Sequence, residues 1–223
     1  MQNVLVAAVQ ASLHKTCASC GVALSGSLSP HSCAACGAPQ PLVVGAGRDP
    51  FEAFQVPRRF AQDRAALQKR LLELSRALHP DRFVRASPEL RQASLDRMGL
   101  VNEAYRLLTD REAVRELLLS EAGFVGKGTR TAAELDFAER WFEIQEQVMD
   151  SESPQELVAD FEGEIRSRLQ SIEAQVKSLE DRFDSEGSSG EALRELSTIV
   201  QSANTMRSLF RDVERLKARV GLG

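Results

Sequence analysis

Phe161, Ile165, Leu169, Ile172, Val176, Leu179 and Phe183 recur at steps of four, four, three, four, three and four. Only an α-helix brings such positions onto one face, and this stripe runs for more than five turns. Ser153 is a plausible N-cap for it, with Pro154 at the first helical position. A Ser- and Gly-rich stretch, Asp184–Gly190, follows. A second stripe then returns over Glu191–Arg219 with Leu193, Leu196, Val200, Ala203, Met206, Phe210, Val213 and Leu216. Two long amphipathic helices joined by so short a turn predict an antiparallel hairpin, and a helix over Ala132–Met149 supplies the third member of a bundle. Aromatic residues make up only 5% of the chain, with one Trp and one Tyr. That suits a bundle built on Leu, Ala and Val and argues against a β-sandwich.

Further upstream the same periodicity recurs. Leu67, Leu71, Leu74 and Leu78 lie on one face of a helix, and Met98, Val101, Tyr105 and Leu108 on one face of another. Between them stands His79-Pro80-Asp81, followed by Arg82-Phe83. Pro80 disfavours helical geometry at His79 and helps end the first helix there. The predicted helices are Pro50–Phe54, Arg59–Leu78, Pro88–Leu108 and Arg111–Glu121, with Gly123 as a stop. Phe51 and Phe54 are expected to pack across the base of the helix pair.

All four cysteines lie near the start, in Cys17-Ala-Ser-Cys20-Gly21 and Cys33-Ala-Ala-Cys36-Gly37. Each pair sets two thiols on a tight turn. The Gly after the second Cys lets the backbone curl back and offer amide N–H groups to sulfur. Four soft ligands in two such pairs match a tetrahedral, structural zinc site, closed to chemistry. Two disulfides, a redox pair or an iron–sulfur cluster are the competing readings. A segment this short buries little core, so the ion must supply most of its folding free energy, on the order of 10 kcal/mol. His14 and His31 are read as bystanders, because four Cys fill the tetrahedron. Pro39–Gly47, with two Pro and two Gly, reads as an extended, mobile linker that couples this module only weakly to the rest. The expected organisation is therefore all-α: residues 1–47 a zinc-binding module with its linker, 48–123 a helical hairpin, and 124–223 a three-helix bundle.

Charge divides the same way. Residues 50–122 carry 13 Lys and Arg against 11 Asp and Glu, whereas residues 123–223 carry 13 against 20. A weakly basic module followed by an acidic one fits two protein partners better than nucleic acid. The first 47 residues hold one Lys, no Arg and no aromatic, so they lack the charge and stacking groups that nucleic-acid binding uses. Three His, four paired Cys and no Gly-rich phosphate loop leave no catalytic constellation, and no enzyme is expected. No apolar run approaches a membrane span. Val4–Val9 is too short, and lacks the preceding basic residue, for a signal peptide, and no Arg precedes Arg48. The expectation is a cytoplasmic protein, with self-association left open.

A His-Pro-Asp turn between two such helices resembles the signature of a J-domain, a family that stimulates ATP hydrolysis by DnaK-type chaperones. With an acidic bundle behind it, the chain is similar to the HscB co-chaperones of iron–sulfur cluster assembly. The matching stretches are Leu78-His79-Pro80-Asp81-Arg82-Phe83, Val101-Asn102-Glu103-Ala104-Tyr105, Glu116–Gly123 and Phe142-Glu143-Ile144-Gln145-Glu146. Together they cover residues 50–223. The cysteine module resembles the zinc extension of the eukaryotic and some bacterial members. Three positions depart from the family: Ala138 and Glu139, where Phe137-Ala138-Glu139 stands for its Phe-Leu-Met, and Thr205, which stands for a frequent Phe.

The resemblance implies that His79, Pro80, Asp81 and Arg82 meet a DnaK/HscA-type chaperone. Arg64, Lys69, Arg70 and Arg76 would steer its acidic face. It also implies that the bundle holds an iron–sulfur scaffold protein through Trp141, Phe142, Glu143 and Glu146, helped by Met206 and Phe210. Trp141 and Phe142 are adjacent and cannot share one core, so one of them is expected to be exposed. The alternative is a general J-domain co-chaperone with a different client. Cys17, Cys20, Cys33 and Cys36 are the zinc ligands, and the zinc is the only cofactor expected.

Overall fold

A computed structural model describes residues 16–17, 19–24, 31–42, 48–124, 131–149, 151–186 and 190–221. Val4–Val9, His14 and the stretch 43–47 lie outside the described residues. The chain divides into two compact units, Met1–Val114 and Arg115–Gly223. Among the described residues the regular structure is all helical, as the apolar steps predict, with two isolated β-bridges beside the cysteines.

In the first unit, α1 (Pro50–Phe54) opens on Asp49, whose carboxylate accepts the Phe51 N–H at 2.9 Å. It closes at Gln55 in the left-handed region, φ +56°. The next helix, α2, spans Arg64–Leu78 rather than starting at Arg59. Asp63 sets this start: its carboxylate accepts the N–H groups of Ala65 and Ala66 at 2.9 and 3.1 Å, satisfying donors that no preceding turn can serve. Phe60, ahead of the cap, is a separate core residue at 2% exposure. A single 3-10 turn, Pro80–Phe83, leads to α3 (Pro88–Thr109), capped by Ser87.

The seam between α2 and α3 holds Leu67, Leu74 and Leu78 against Val101, Ala104 and Leu108, all buried, while Leu71, Met98 and Tyr105 flank it half-exposed. Phe51 and Phe54 of α1 are buried against the same pair, and the Phe54 ring lies 6.2 Å from Tyr105. At the open end of the pair, the Arg64 guanidinium donates to the Thr109 carbonyl at 2.9 Å.

Helix α4 spans Arg111–Glu121 and carries the boundary between the units. The second unit continues with α5 (Ala132–Gln147), α6 (Pro154–Glu186) and α7 (Gly190–Val220). Thr131 and Glu134 form a capping box at the start of α5. The α6 stripe is buried at every predicted position except Leu169, which is half-exposed. Helix α6 runs through Glu186, into the expected turn, and 187–189 lie outside the described residues. On α7 the buried residue is Leu209, not Phe210; Phe210 is half-exposed under the Arg166 guanidinium, 5.8 Å from its ring centroid.

An aromatic cluster docks α5 onto α6. Trp141 stacks on Phe161 at 5.8 Å and 8°, and the Phe137 ring lies 6.1 Å from Phe161, tilted by 44°. One buried ion pair crosses this unit, Arg115 Nε to Glu180 Oε1 at 2.7 Å, with the Glu180 side chain 1% exposed. No helix among the described residues is long and apolar enough to cross a membrane.

Candidate functional site

The four cysteine sulfurs lie within 4.8 Å of one another. Cys17 and Cys36 are 3.7 Å apart and Cys20 and Cys33 3.8 Å, and all four are free. A disulfide needs about 2.05 Å, so neither pairing is one. An ion about 2.3 Å from each of four tetrahedral sulfurs would space them by about 3.8 Å. The cluster therefore has the size of a four-thiolate metal site.

The two pentapeptides build it twice by the same hydrogen bonds. The Cys17 N–H donates to the Val22 carbonyl and the Gly21 N–H to the Cys17 carbonyl, both at 2.8 Å. The Cys33 N–H donates to Ala38 at 2.9 Å and the Gly37 N–H to Cys33 at 2.8 Å. Each turn needs a left-handed residue, and Gly21 and Gly37 supply it at φ +72° and +70°. The Ser19 N–H and the Gln40 amide donate to the Cys17 sulfur at 3.4 and 3.5 Å. Burial pushes the Cys17 thiol up, but hydrogen bonds from the Cys20 and Ser19 backbones and from Cys36 and Gln40 outweigh it and lower it to about 6. At Cys20 the Val22 backbone pulls the thiol down, yet crowding by Cys36, Cys17 and Cys33 pushes it up to about 12. Four sulfurs this close can all be thiolates only with a cation among them.

The surroundings of this cluster differ from the expected tether. His31 is not a ligand, but it is no bystander either: it is fully buried, with Nε2 2.7 Å from the Ala53 carbonyl of α1. Pro39–Gly47 is not free at its start. Gln40 is buried, and Arg97 of α3 donates to the carbonyls of Gln40 and Pro41 at 2.7 and 2.9 Å.

The His79-Pro80-Asp81 turn stands at the other end of α2. The His79 and Asp81 side chains are 54% and 86% exposed. His79 Nδ1 accepts the Asp81 N–H at 3.3 Å, which locks one side chain to the backbone of the other. The last carbonyls of α2, which lack helical partners, are met from outside: Arg82 donates to Arg76 and Ala77 at 3.0 Å, and the buried Ser94 hydroxyl to Leu78 at 2.6 Å. Arg82 thus braces the turn while its side chain remains at the surface. Arg70 is half-buried and bonded to Gln55 and Glu73, whereas Lys69 and Arg76 are exposed.

In the second unit, Ala138, Trp141, Phe142 and Gln145 of α5 face Gln201, Asn204, Thr205, Ser208 and Leu209 of α7 across a groove of about 860 Å³. Of the adjacent aromatic pair, Trp141 is 7% exposed and Phe142 66% exposed. Glu143 and Glu146 are exposed beside it. Met206, at 1% exposure, belongs to the core beneath, so it offers no surface to a partner, and Phe210 is not among the groove-lining residues.

Sequence reasoning expected one exposed aromatic, which is Phe142 at 66%, but missed that Leu135 and Met149 are exposed too, at 48% and 75%. The spacing of seven was the available signal, since it puts Leu135 and Phe142 on one side of α5, with Met149 just past its end. The polar positions Gln201, Asn204 and Ser208, at steps of three and four, were equally legible. Thr205 is tied down: its hydroxyl donates to the Gln201 carbonyl at 3.2 Å, beside the buried Glu134 carboxyl. Burial pushes that carboxyl up, but the Thr131 backbone N–H and the hydroxyls of Ser202, Thr131 and Thr205 prevail and hold it below the usual range.

No protein-family model matches the chain. Among curated proteins it is similar to the "Co-chaperone protein HscB homolog" of Haemophilus ducreyi, 31% identical over 137 residues, or 59% of this chain and 79% of that one. The relative so named from Photobacterium profundum is 28% identical over 153 residues, covering 67% of this chain and 89% of its own. That from Burkholderia multivorans is 29% identical over 174 residues, covering 75% and 95%. Among solved structures the fold is similar to human co-chaperone protein HscB, with a TM-score of 0.58 and 24% identity over 91% of this chain and 98% of that one.

Proposed function

The chain belongs to the HscB family of co-chaperones, and from that premise we propose that it stimulates ATP hydrolysis by a DnaK/HscA-type chaperone and delivers an iron–sulfur scaffold protein to it. The observation that carries this reading is the His79-Pro80-Asp81 turn, exposed at the tip of the α2–α3 pair and braced by Arg82 and Ser94. A turn ordered before docking loses less entropy on binding, which favours a weak, transient interface. Asp81 would form charge-assisted hydrogen bonds to an Arg of the chaperone. Lys69, Arg70 and Arg76 would steer the encounter; none of these residues is a catalyst of the reaction.

The scaffold would bind the second unit at the groove between α5 and α7, with Phe142 as its anchor and Glu143 and Glu146 as its polar rim. Trp141 supports that anchor from below, stacked on Phe161. The cysteine cluster would hold one zinc ion, whose role is structural, since four sulfurs leave it no open position. The second reading keeps the chaperone half and changes the client. It draws on Ala138 and Glu139, and on Thr205, whose hydroxyl is committed to the Gln201 carbonyl of its own helix.

Two measurements on the full chain test this. Addition of the chain should raise the single-turnover ATPase rate of the DnaK-type chaperone from the same organism; no change sinks the chaperone half. Calorimetric titration with the scaffold from that organism should show binding at tens of micromolar or below. Heat-silent titration with the chain folded leaves the second reading standing.

A further inference from the structure

We propose that His31, Gln40 and Arg97 are positioning residues that couple the metal state of the four-cysteine site to the helix pair presenting His79-Pro80-Asp81. The proposal rests on the reading that the four cysteines hold a metal ion. A segment this short folds around its ion or not at all, so it is a two-state element. Three contacts of the first unit exist only when that element is folded.

Arg97 is the strongest of them. It is 5% exposed on α3, and its Nε and one Nη donate to the Gln40 and Pro41 carbonyls at 2.7 and 2.9 Å. A guanidinium stays buried only while acceptors meet it. If the segment unfolds, Arg97 must turn out to water, and the face of α3 it covers is opened. Gln40 links this contact directly to the metal site, because its side-chain amide donates to the Cys17 sulfur at 3.5 Å.

His31 supplies the second contact. Helix α1 has five residues, so the carbonyl of Ala53 has no helical partner, and His31 Nε2 meets it at 2.7 Å. The third is apolar: Leu90 of α3 packs on the cluster of Cys17, Cys33 and Ala38. From Arg97 the route to the turn is one step. Ser94 lies three residues earlier on α3, and its hydroxyl holds the Leu78 carbonyl at 2.6 Å, next to His79. Metal loading would thus tighten the support of the turn, and metal loss would loosen it.

Hydrogen exchange on the full chain, zinc-loaded against chelator-treated, tests the coupling. Chelation should speed exchange in α1 and the first half of α3 by about tenfold or more, and leave α6 and α7 unchanged. The variant Arg97→Met should still take up one zinc per chain but show a several-fold smaller response to chelation, a non-additivity that a merely structural role would not produce. If Arg97→Met does not fold, Gln40→Ala carries the same comparison. Equal exchange with and without zinc in the wild type overturns the coupling, as does a full response in a folded variant. A chain that takes up no zinc overturns the underlying reading instead.

Discussion

Pro80 separates two side chains that have to be held in place, and the hydrogen bond from the Asp81 N–H to His79 Nδ1 does the rest. The His79 side chain is 54% exposed and stands outside the apolar core, so it tests function against stability. His79→Gln is expected to melt within about 0.5 kcal/mol of the wild type, as surface changes do, while stimulation of the chaperone ATPase falls to the unassisted rate. Single-turnover rates equal to those of the wild type would exclude the turn from the mechanism. The buried Glu180 behaves in the opposite way. Arg115→Ala strips its carboxylate of the guanidinium 2.7 Å away, and the expected loss in urea unfolding is about 3–5 kcal/mol. Glu134 adds a pH signature. Its folded carboxyl lies below the ordinary value, so its contribution is present above the unfolded value of about 4.3 and disappears as pH falls through the lower, folded one. Glu134→Gln should flatten the stability profile in that acid window and nowhere else, which thermal melts across pH would show.

At the scale of the element, spacing was a good guide to which helices exist and a poor one to which of their residues partners can reach. The stripes of α2, α6 and α7 were legible because burial of one face is what sets their period. Their starts were set by capping side chains, and Asp63 moved one by five residues. Met206 and Phe210 looked alike in the sequence, yet one is core and the other lies under Arg166. Periodicity locates an apolar face but does not tell whether another helix covers it. The Leu135 and Phe142 side of α5 is one that stays uncovered within its unit. Phe142→Ala is therefore expected to weaken scaffold binding by about 2 kcal/mol, roughly thirtyfold, with the melting temperature unchanged. Met206→Ala should do the reverse, costing about 2–5 kcal/mol of stability and affecting binding only through it. Titration calorimetry and thermal melts on the two variants separate these outcomes. A Phe142→Ala chain that binds as tightly as the wild type would move the client surface elsewhere.

At the scale of the molecule, Pro and Gly in 39–47 marked where the chain can bend and were silent on what it touches. Arg97 reaches Gln40 across 57 residues, and His31 reaches Ala53 across 22. Contacts of that kind carry no period and no motif. They place the cysteine segment in the same compact unit as α1, α2 and α3, whereas the second unit begins at Arg115. Each unit has its own buried centre: Phe51, Phe54, Leu67 and Leu78 in the first, and Phe161, Ile165, Leu196 and Met206 in the second. Separate cores favour separate cooperative transitions, because two-state melting belongs to a domain rather than to a chain. Scanning calorimetry of the zinc-loaded chain is expected to resolve two transitions. Chelation should lower only the one that belongs to the first unit. Arg115→Ala should lower only the other, by about 10 °C or more, given about 4–8 °C for each kcal/mol in a unit of this size. The two perturbations together should then act additively, each on its own peak. A single transition that both perturbations shift would mean that the whole chain melts as one.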